Sequence, residues 1–316
     1  MFGLAPLMAG MLNGLGGSTN DTRIEESGEL APIEIYGPRN LRGVLRTVLG
    51  GTYTNLLGRY VVHELHFPGD VKPVYETSEL HPNELPGQDI QQTSPGIWES
   101  FIAQDDLTIS AGEIIHSIPS IGYVVQERPF PGKLTYDVVR VYVKQINTHG
   151  LPISTLSQIQ NGTTITLPTG EILHPPLPRG GRKIVILGDT SDPSRLIPLS
   201  QNANVIVHEA TNAYIPQLDK EATYQSIEER TISRGHSTPQ MAGKFAKACS
   251  AKVLLLNHFS ARYADEGEPI TGKCALLKEN REQGVMTEIR DLAKSEFDGT
   301  VVCARDLWTW EVNDKT

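Results

Sequence analysis

The chain lacks the marks of a secreted, membrane-spanning or disulfide-built protein. Its 316 residues include three cysteines, Cys249, Cys274 and Cys303, with no C-x-x-C pair among them. Three thiols cannot make a disulfide framework, and a reducing compartment fits them best. The longest apolar opening, Phe2 to Leu15, is broken by Gly3, Pro6 and Gly10 and is too short to span a bilayer. The first basic residue is Arg23, so no positively charged leader precedes that stretch. The expectation is an intracellular protein without a membrane span, cytoplasmic or nuclear, with the mitochondrion open. No Gly-x-Ser-x-Gly elbow occurs, which excludes the usual serine hydrolase. Positive charge is also scarce, at 28 Lys and Arg against 37 Asp and Glu.

That deficit is uneven. Between Arg128 and Lys183 stand seven basic residues (128, 133, 140, 144, 179, 182 and 183) against two acids, Asp137 and Glu171. The window is therefore +5, and with a total of −9 the remainder carries −14. A basic projection on an acidic body is the distribution expected of a phosphate-binding arm.

Residues 2–13 read as a helix, 16–31 as a polar Gly-rich loop, 33–36 as a strand, 41–48 as a helix and 60–67 as a strand. From 69 to 96 no period is visible, and a surface loop or disorder is expected. Strand patterns return near 108–116 and 121–127, while 128–181, rich in Pro, Gly and Thr, shows no continuous core pattern. Beyond it the chain becomes regular. Strands are expected at 183–187, 205–207 and 253–256. A helix is expected after Ser237-Thr238-Pro239-Gln240, which has capping-box spacing, with Ala242, Phe245, Ala246 and Cys249 on its apolar face. Strand, helix and strand at these intervals predict an α/β layer structure.

Polar groups recur at the C-terminal ends of the predicted buried strands: His116, Asp189, His208-Glu209 and His258. In α/β sheets that edge collects ligands and catalytic groups. Asp oxygen and neutral His nitrogen converging there suit Zn²⁺ or Mn²⁺. Each residue alone reads more simply as a turn or a satisfied polar group; the ordered set is what carries the inference.

That set resembles the ribonuclease Z family of the metallo-β-lactamase superfamily. The matching segments are Gly188-Asp189-Thr190, His208-Glu209-Ala210-Thr211, Gly235-His236-Ser237-Thr238-Pro239 and His258-Phe259-Ser260-x-Arg262-Tyr263. Upstream, His116-Ser117-Ile118-Pro119-Ser120 and Arg128-Pro129-x-Pro131-Gly132-Lys133 follow the same order, and Ala304-Arg305-Asp306 resembles a C-terminal Ala-x-Asp motif. The resemblance implies a metallo-β-lactamase αβ/βα sandwich over residues 1–316 with an inserted substrate-binding arm at 128–181. It implies an endonuclease that removes the 3′ trailer of precursor tRNA, holding two zinc ions (manganese as the alternative) and working as a homodimer. Asp189 would bridge both metals, with His116 on the first and His258 on the second. His236 would be the catalytic acid or base, oriented by Glu209. Ser237, Thr238, Arg262 and Tyr263 would lie near substrate phosphate, joined by Arg128 and Lys133 of the arm.

Two departures stand out. The family's arm continues with a Gly-Pro-containing segment, where this chain reads Gly150-Leu151-Pro152-Ile153. The family's His-x-His-x-Asp-His motif belongs directly before the Phe2-Gly3-Leu4 segment, which here follows Met1. The expectation is an incomplete domain without its first strands, inactive because half its metal ligands are missing. His63 and His66 offer no substitute, since i and i+3 on a strand face opposite ways. The alternatives are a metallo-β-lactamase hydrolase of small esters and a non-catalytic RNA-binding subunit.

Overall fold

The computed structural model describes residues 3–13, 31–70, 80–104, 106–130, 132–263 and 284–312. The expected loop at 16–30 and part of that at 69–96 lie outside these residues. Two sheets face each other, each carrying helices on its outer side.

The smaller sheet is parallel and is built around β2 (Tyr60–Leu65). β2 pairs with β1 (Ile33–Pro38) on one side and with the two-residue strands β3 (Glu84–Leu85) and β4 (Asp89–Ile90) on the other. Every residue of β2 is buried, as expected of a central parallel strand covered on both faces. Helices α1 (Leu4–Asn13) and α2 (Leu41–Gly51) lie on this sheet. They bury Met8, Leu12, Leu41, Leu45 and Leu49 against Ile35, Tyr60 and Val62.

The larger sheet has the order β13-β12-β11-β10-β7-β6-β5. β5 (Ile97–Ala103), β6 (Leu107–Ile114) and β7 (Ser120–Glu127) form an antiparallel meander. β10 (Lys183–Ile186), β11 (Val205–Glu209), β12 (Val253–Asn257) and β13 (Thr300–Cys303) run parallel. The period of two decides what each strand packs against. On β12, Leu254 and Leu256 join Ala242, Phe245 and Ala246 of α6 (Pro239–Ala248, which follows the helix α5, Tyr224–Ser233) and Ile289 and Ala293 of α7 (Val285–Lys294). Val253 and Leu255 face the other way, toward Trp308, Trp310 and Val312. Leu65, Trp98, Ala111 and Ile121 cluster between the two sheets. Among the described residues no helix is long and apolar enough to cross a membrane.

Several expectations change in detail. The region 69–96 is not all surface loop: Glu84 is buried and ion-paired to Arg46, and β3 and β4 extend the small sheet. Strand β5 was hidden because its alternation is broken by the register shift between Trp98 and Ile102. The cap of α6 is Thr238 rather than Ser237. Pro239 at the first helical position requires an extended residue before it, and Thr238 has φ −87° and ψ 162°.

The arm has a core of its own, contrary to its sequence pattern. The chain leaves the large sheet at Phe130 and returns at Arg179, the two backbones exchanging a pair of 2.9 Å hydrogen bonds. Between them lie α3 (Tyr136–Thr148), α4 (Ser154–Gln160) and the hairpin β8 (Ile165–Thr166) and β9 (Ile172–Leu173). Ile146 of α3, Ile159 of α4, Leu167 just after β8 and Leu173 of β9 are buried together. No window of sequence shows them as one pattern.

Candidate active site

The four polar strand ends meet at one edge of the large sheet. Asp189 follows β10, Glu209 ends β11, His258 follows β12, and His116 follows β6 by two residues. The Asp189 loop is sewn to the His116 segment: Ser191 N donates to Ile115 O at 2.8 Å and Ile115 N to Asp192 O at 3.0 Å. The Thr190 hydroxyl also donates to Ile115 O, at 2.9 Å. His258 has φ 54°, a left-handed conformation that costs a non-glycine residue about 1 kcal/mol or more. It turns the chain sharply where β12 ends.

Three imidazoles line up across the edge. The His236 ring centroid lies 5.0 Å from that of His116 and 5.4 Å from that of His258. Asp189 Oδ2 is 3.5 Å from His258 Nε2. Nitrogen and oxygen atoms of His116, Asp189 and His236 come within 4.8 Å of one another, and so do those of Glu209, His236 and His258.

Each ring is held by its Nδ1. His116 Nδ1 lies 2.7 Å from the carbonyl of Gly235. His236 Nδ1 lies 2.9 Å from Glu209 Oε1. His258 Nδ1 lies 2.7 Å from the Thr211 hydroxyl. An imidazole that donates from Nδ1 keeps the Nε2 lone pair for a metal or a proton. Gly235 is required for the first contact. Its φ is +80°, and a Cβ there would stand 2.5 Å from His116 Nδ1 and 2.9 Å from Ser117 N.

Glu209 is the hub. It is 1% exposed and accepts at Oε1 from Thr190 N (2.6 Å) and His236, and at Oε2 from Ser237 N (3.1 Å) and the Thr211 hydroxyl. Both of its oxygens are engaged by protein donors, which ties the Thr190, Thr211, His236 and Ser237 segments together. Thr211 was named in the sequence only as part of a motif. Nothing in its residue type announces that its side chain reaches Glu209, His258 and, at 3.4 Å, His236.

The residues expected near phosphate fall into two groups. Ser237 and Thr238 are buried: the Ser237 hydroxyl donates to Thr190 O at 2.6 Å, and Thr238 caps α6. Arg262 clamps Asp219 with contacts of 2.8 and 3.1 Å and donates to Ala213 O at 2.7 Å. Tyr263 is buried, its hydroxyl accepting from Ala213 N at 2.8 Å. Desolvation raises the Asp219 carboxyl, but the hydrogen bonds from Arg262 and Ile215 N, with the charges of Arg262 and Arg230, together outweigh it and hold the group below its ordinary range. Ser237, Thr238 and Tyr263 are buried and Arg262 is partly exposed, and each side chain makes hydrogen bonds to protein partners. In the arm, by contrast, Arg128, Lys133, Arg140 and Lys144 are exposed. Arg182 and Lys183 are not part of that surface: Arg182 is ion-paired to Glu127, and Lys183 Nζ donates to Gln201 O at 2.8 Å.

Glu64, His66 and Asp89 also converge, on the small sheet. Arg42 already engages that group, with its guanidinium 2.6 Å from Asp89 Oδ1 and donating to Val62 O and Gln88 O, and its backbone N donating to Glu64 Oε1 at 2.9 Å. His63 stacks on Tyr36 at 4.4 Å.

Two facing sheets with outer helices, and a His/Asp cluster at the strand ends, define the metallo-β-lactamase αβ/βα sandwich. Comparison with known proteins then places the chain more narrowly. It is 34% identical over 284 residues to zinc phosphodiesterase ELAC protein 1 of Homo sapiens, covering 84% of this chain and 70% of that one. It is 31% identical over 268 residues to ribonuclease Z of Microcystis aeruginosa, covering 83% and 65%. The crystal structure of the short form of human tRNase Z superposes with a TM-score of 0.53 at 23% identity, covering 99% of this chain and 74% of that one. No protein-family model matches the sequence. The chain belongs to the ribonuclease Z family of zinc phosphodiesterases.

Proposed function

We propose that the chain's activity is metal-dependent endonucleolytic removal of the 3′ trailer from precursor tRNA. The observation that carries this is the convergence of His116, Asp189, His236 and His258 at the strand ends, three imidazoles each held by Nδ1. The donors fit zinc in kind, as imidazole nitrogen and carboxylate oxygen. In number they supply His116 with Asp189 for one ion and Asp189 with His258 for another. That is short of the three or four protein ligands a zinc site takes. The family's His-x-His-x-Asp-His motif would supply the rest.

When bound there, such ions would supply positive charge for the developing oxyanions and lower the pKa of water toward neutrality. The chain's own residues do the remainder. His236, only part exposed and oriented by Glu209, presents Nε2 beside the ligands, where it can hand a proton to the leaving 3′ oxygen. Arg128, Lys133, Arg140 and Lys144 bind tRNA phosphates at a distance from the cut, since none lies in the cluster. Arg262, Tyr263, Ser237 and Thr238 act by holding the site's walls, not by touching phosphate. A homodimer belongs to the same reading, supported by the exposed apolar Leu7 and Met11 of α1.

The test presents a motif-bearing form of the protein with precursor tRNA, zinc or manganese, and a small chromogenic phosphodiester. Cleavage at the trailer junction is expected. Hydrolysis of the small diester alone would favour a small-ester hydrolase. Retention of RNA without any hydrolysis would favour a binding subunit.

A further inference from the structure

We propose that Thr211 is a positioning residue that fixes which nitrogen of His258 faces the metal site; this rests on the reading of His258 as a ligand. The Thr211 hydroxyl has one proton and touches both the Glu209 Oε2 carboxylate oxygen and, at 2.7 Å, His258 Nδ1. A carboxylate oxygen accepts, so the hydroxyl proton points to Glu209. The Thr211 oxygen is then an acceptor, and His258 must donate to it from Nδ1–H. The imidazole is thereby held as the tautomer whose Nε2 carries the lone pair, and Nε2 is the atom on the Asp189 side, 3.5 Å from Oδ2.

The backbone keeps this arrangement from being incidental. Glu209 pairs with Asn257 in the parallel ladder, Ala210 N donates to Asn257 O at 2.9 Å, and Ser260 N donates to Thr211 O at 3.0 Å. The segments after β11 and β12 are thus clamped on both sides of His258, and the left-handed turn at His258 brings its ring over the hydroxyl. His236 does not compete: its Nδ1 is 3.4 Å from Thr211 and 2.9 Å from Glu209. His116 receives the same service from a backbone carbonyl, which no side-chain substitution removes. His258 alone depends on a side-chain hydroxyl, and a histidine side chain free in water favours the opposite tautomer, with the proton on Nε2.

The test uses the ¹⁵N-labelled, metal-free chain at about pH 8.5, where imidazoles are neutral. Long-range ¹H–¹⁵N correlations report the tautomer, and His258 is assigned by its loss in His258→Gln. The native chain and Thr211→Ser should show the proton on Nδ1, whereas Thr211→Val, which keeps the shape and loses the hydroxyl, should shift it to Nε2. In the motif-bearing form Thr211→Val should weaken zinc binding about 10–100-fold, and Thr211→Ser should restore it. Nδ1–H persisting in Thr211→Val, or Thr211→Ser behaving as Thr211→Val does, would overturn the proposal. A tautomer switch without any change in zinc affinity would uphold the hydrogen-bond assignment and remove His258 from the ligand set.

Discussion

At the strand ends, one carboxylate that is 1% exposed takes four hydrogen bonds, and the three histidines are tied to it, to a hydroxyl bonded to it, and to a backbone carbonyl. The arm, which joins the sheet at the end of β7 and the start of β10, away from the strand end that leads to Asp189, has a different economy: four apolar residues buried inside, and Arg128, Lys133, Arg140 and Lys144 turned to water. A cluster that must hold atoms to within fractions of an ångström is cross-bonded and sunk into the sheet. A surface that must meet a long polyanion needs only charge on a stable support. Cutting and gripping are therefore separable here, and substitutions should divide along the same line.

The largest effect is expected at Asp189, the one carboxylate assigned to both ions. In the motif-bearing form, Asp189→Ala should abolish cleavage of precursor tRNA and of the small diester together and remove most of the bound zinc. Native zinc content by atomic absorption would refute the bridging role.

His236→Ala comes next and splits the cluster itself. Its atoms lie within reach of both candidate donor groups, yet its Nδ1 is spent on Glu209. Zinc content should be retained while turnover of both substrates falls by about 10²–10⁴-fold. Loss of zinc in this variant would move His236 into the ligand set.

A smaller effect is expected behind the site. Asp219→Asn leaves the Arg262 guanidinium without its charged partner and should cost about 2–3 kcal/mol of stability, read by chemical denaturation. The Asp219 carboxyl is held below its unfolded value, so its contribution is full above about pH 4 and is lost as acid takes it lower. Asp219→Asn should therefore flatten the acid limb of the stability curve. An unchanged acid limb would mean that the clamp contributes nothing measurable.

The same division decides what was legible in the sequence. Asp189, Glu209 and His258 were visible because β10, β11 and β12 are short apolar runs and each polar residue stands where a run stops. The tie between Glu209 and His236 came from resemblance, and the structure displays it at 2.9 Å. The inward turn of Arg262 and Tyr263 was not legible, since it depends on Asp219, more than forty residues away in the chain. The arm's core was invisible because Ile146, Ile159, Leu167 and Leu173 come from separate short segments. Its charge was overcounted, because Glu127, the partner of Arg182, lies one residue outside the basic window.

The most direct measurement replaces Arg128, Lys133, Arg140 and Lys144 by glutamine together and follows precursor tRNA binding against salt, with small-diester turnover in parallel. The slope of log affinity against log salt should flatten by about 3, at roughly 0.7–0.9 per phosphate contact. Turnover of the small substrate should not change. Equal losses on both substrates would contradict the separation of grip from cut, and an unchanged slope would remove the arm from RNA binding.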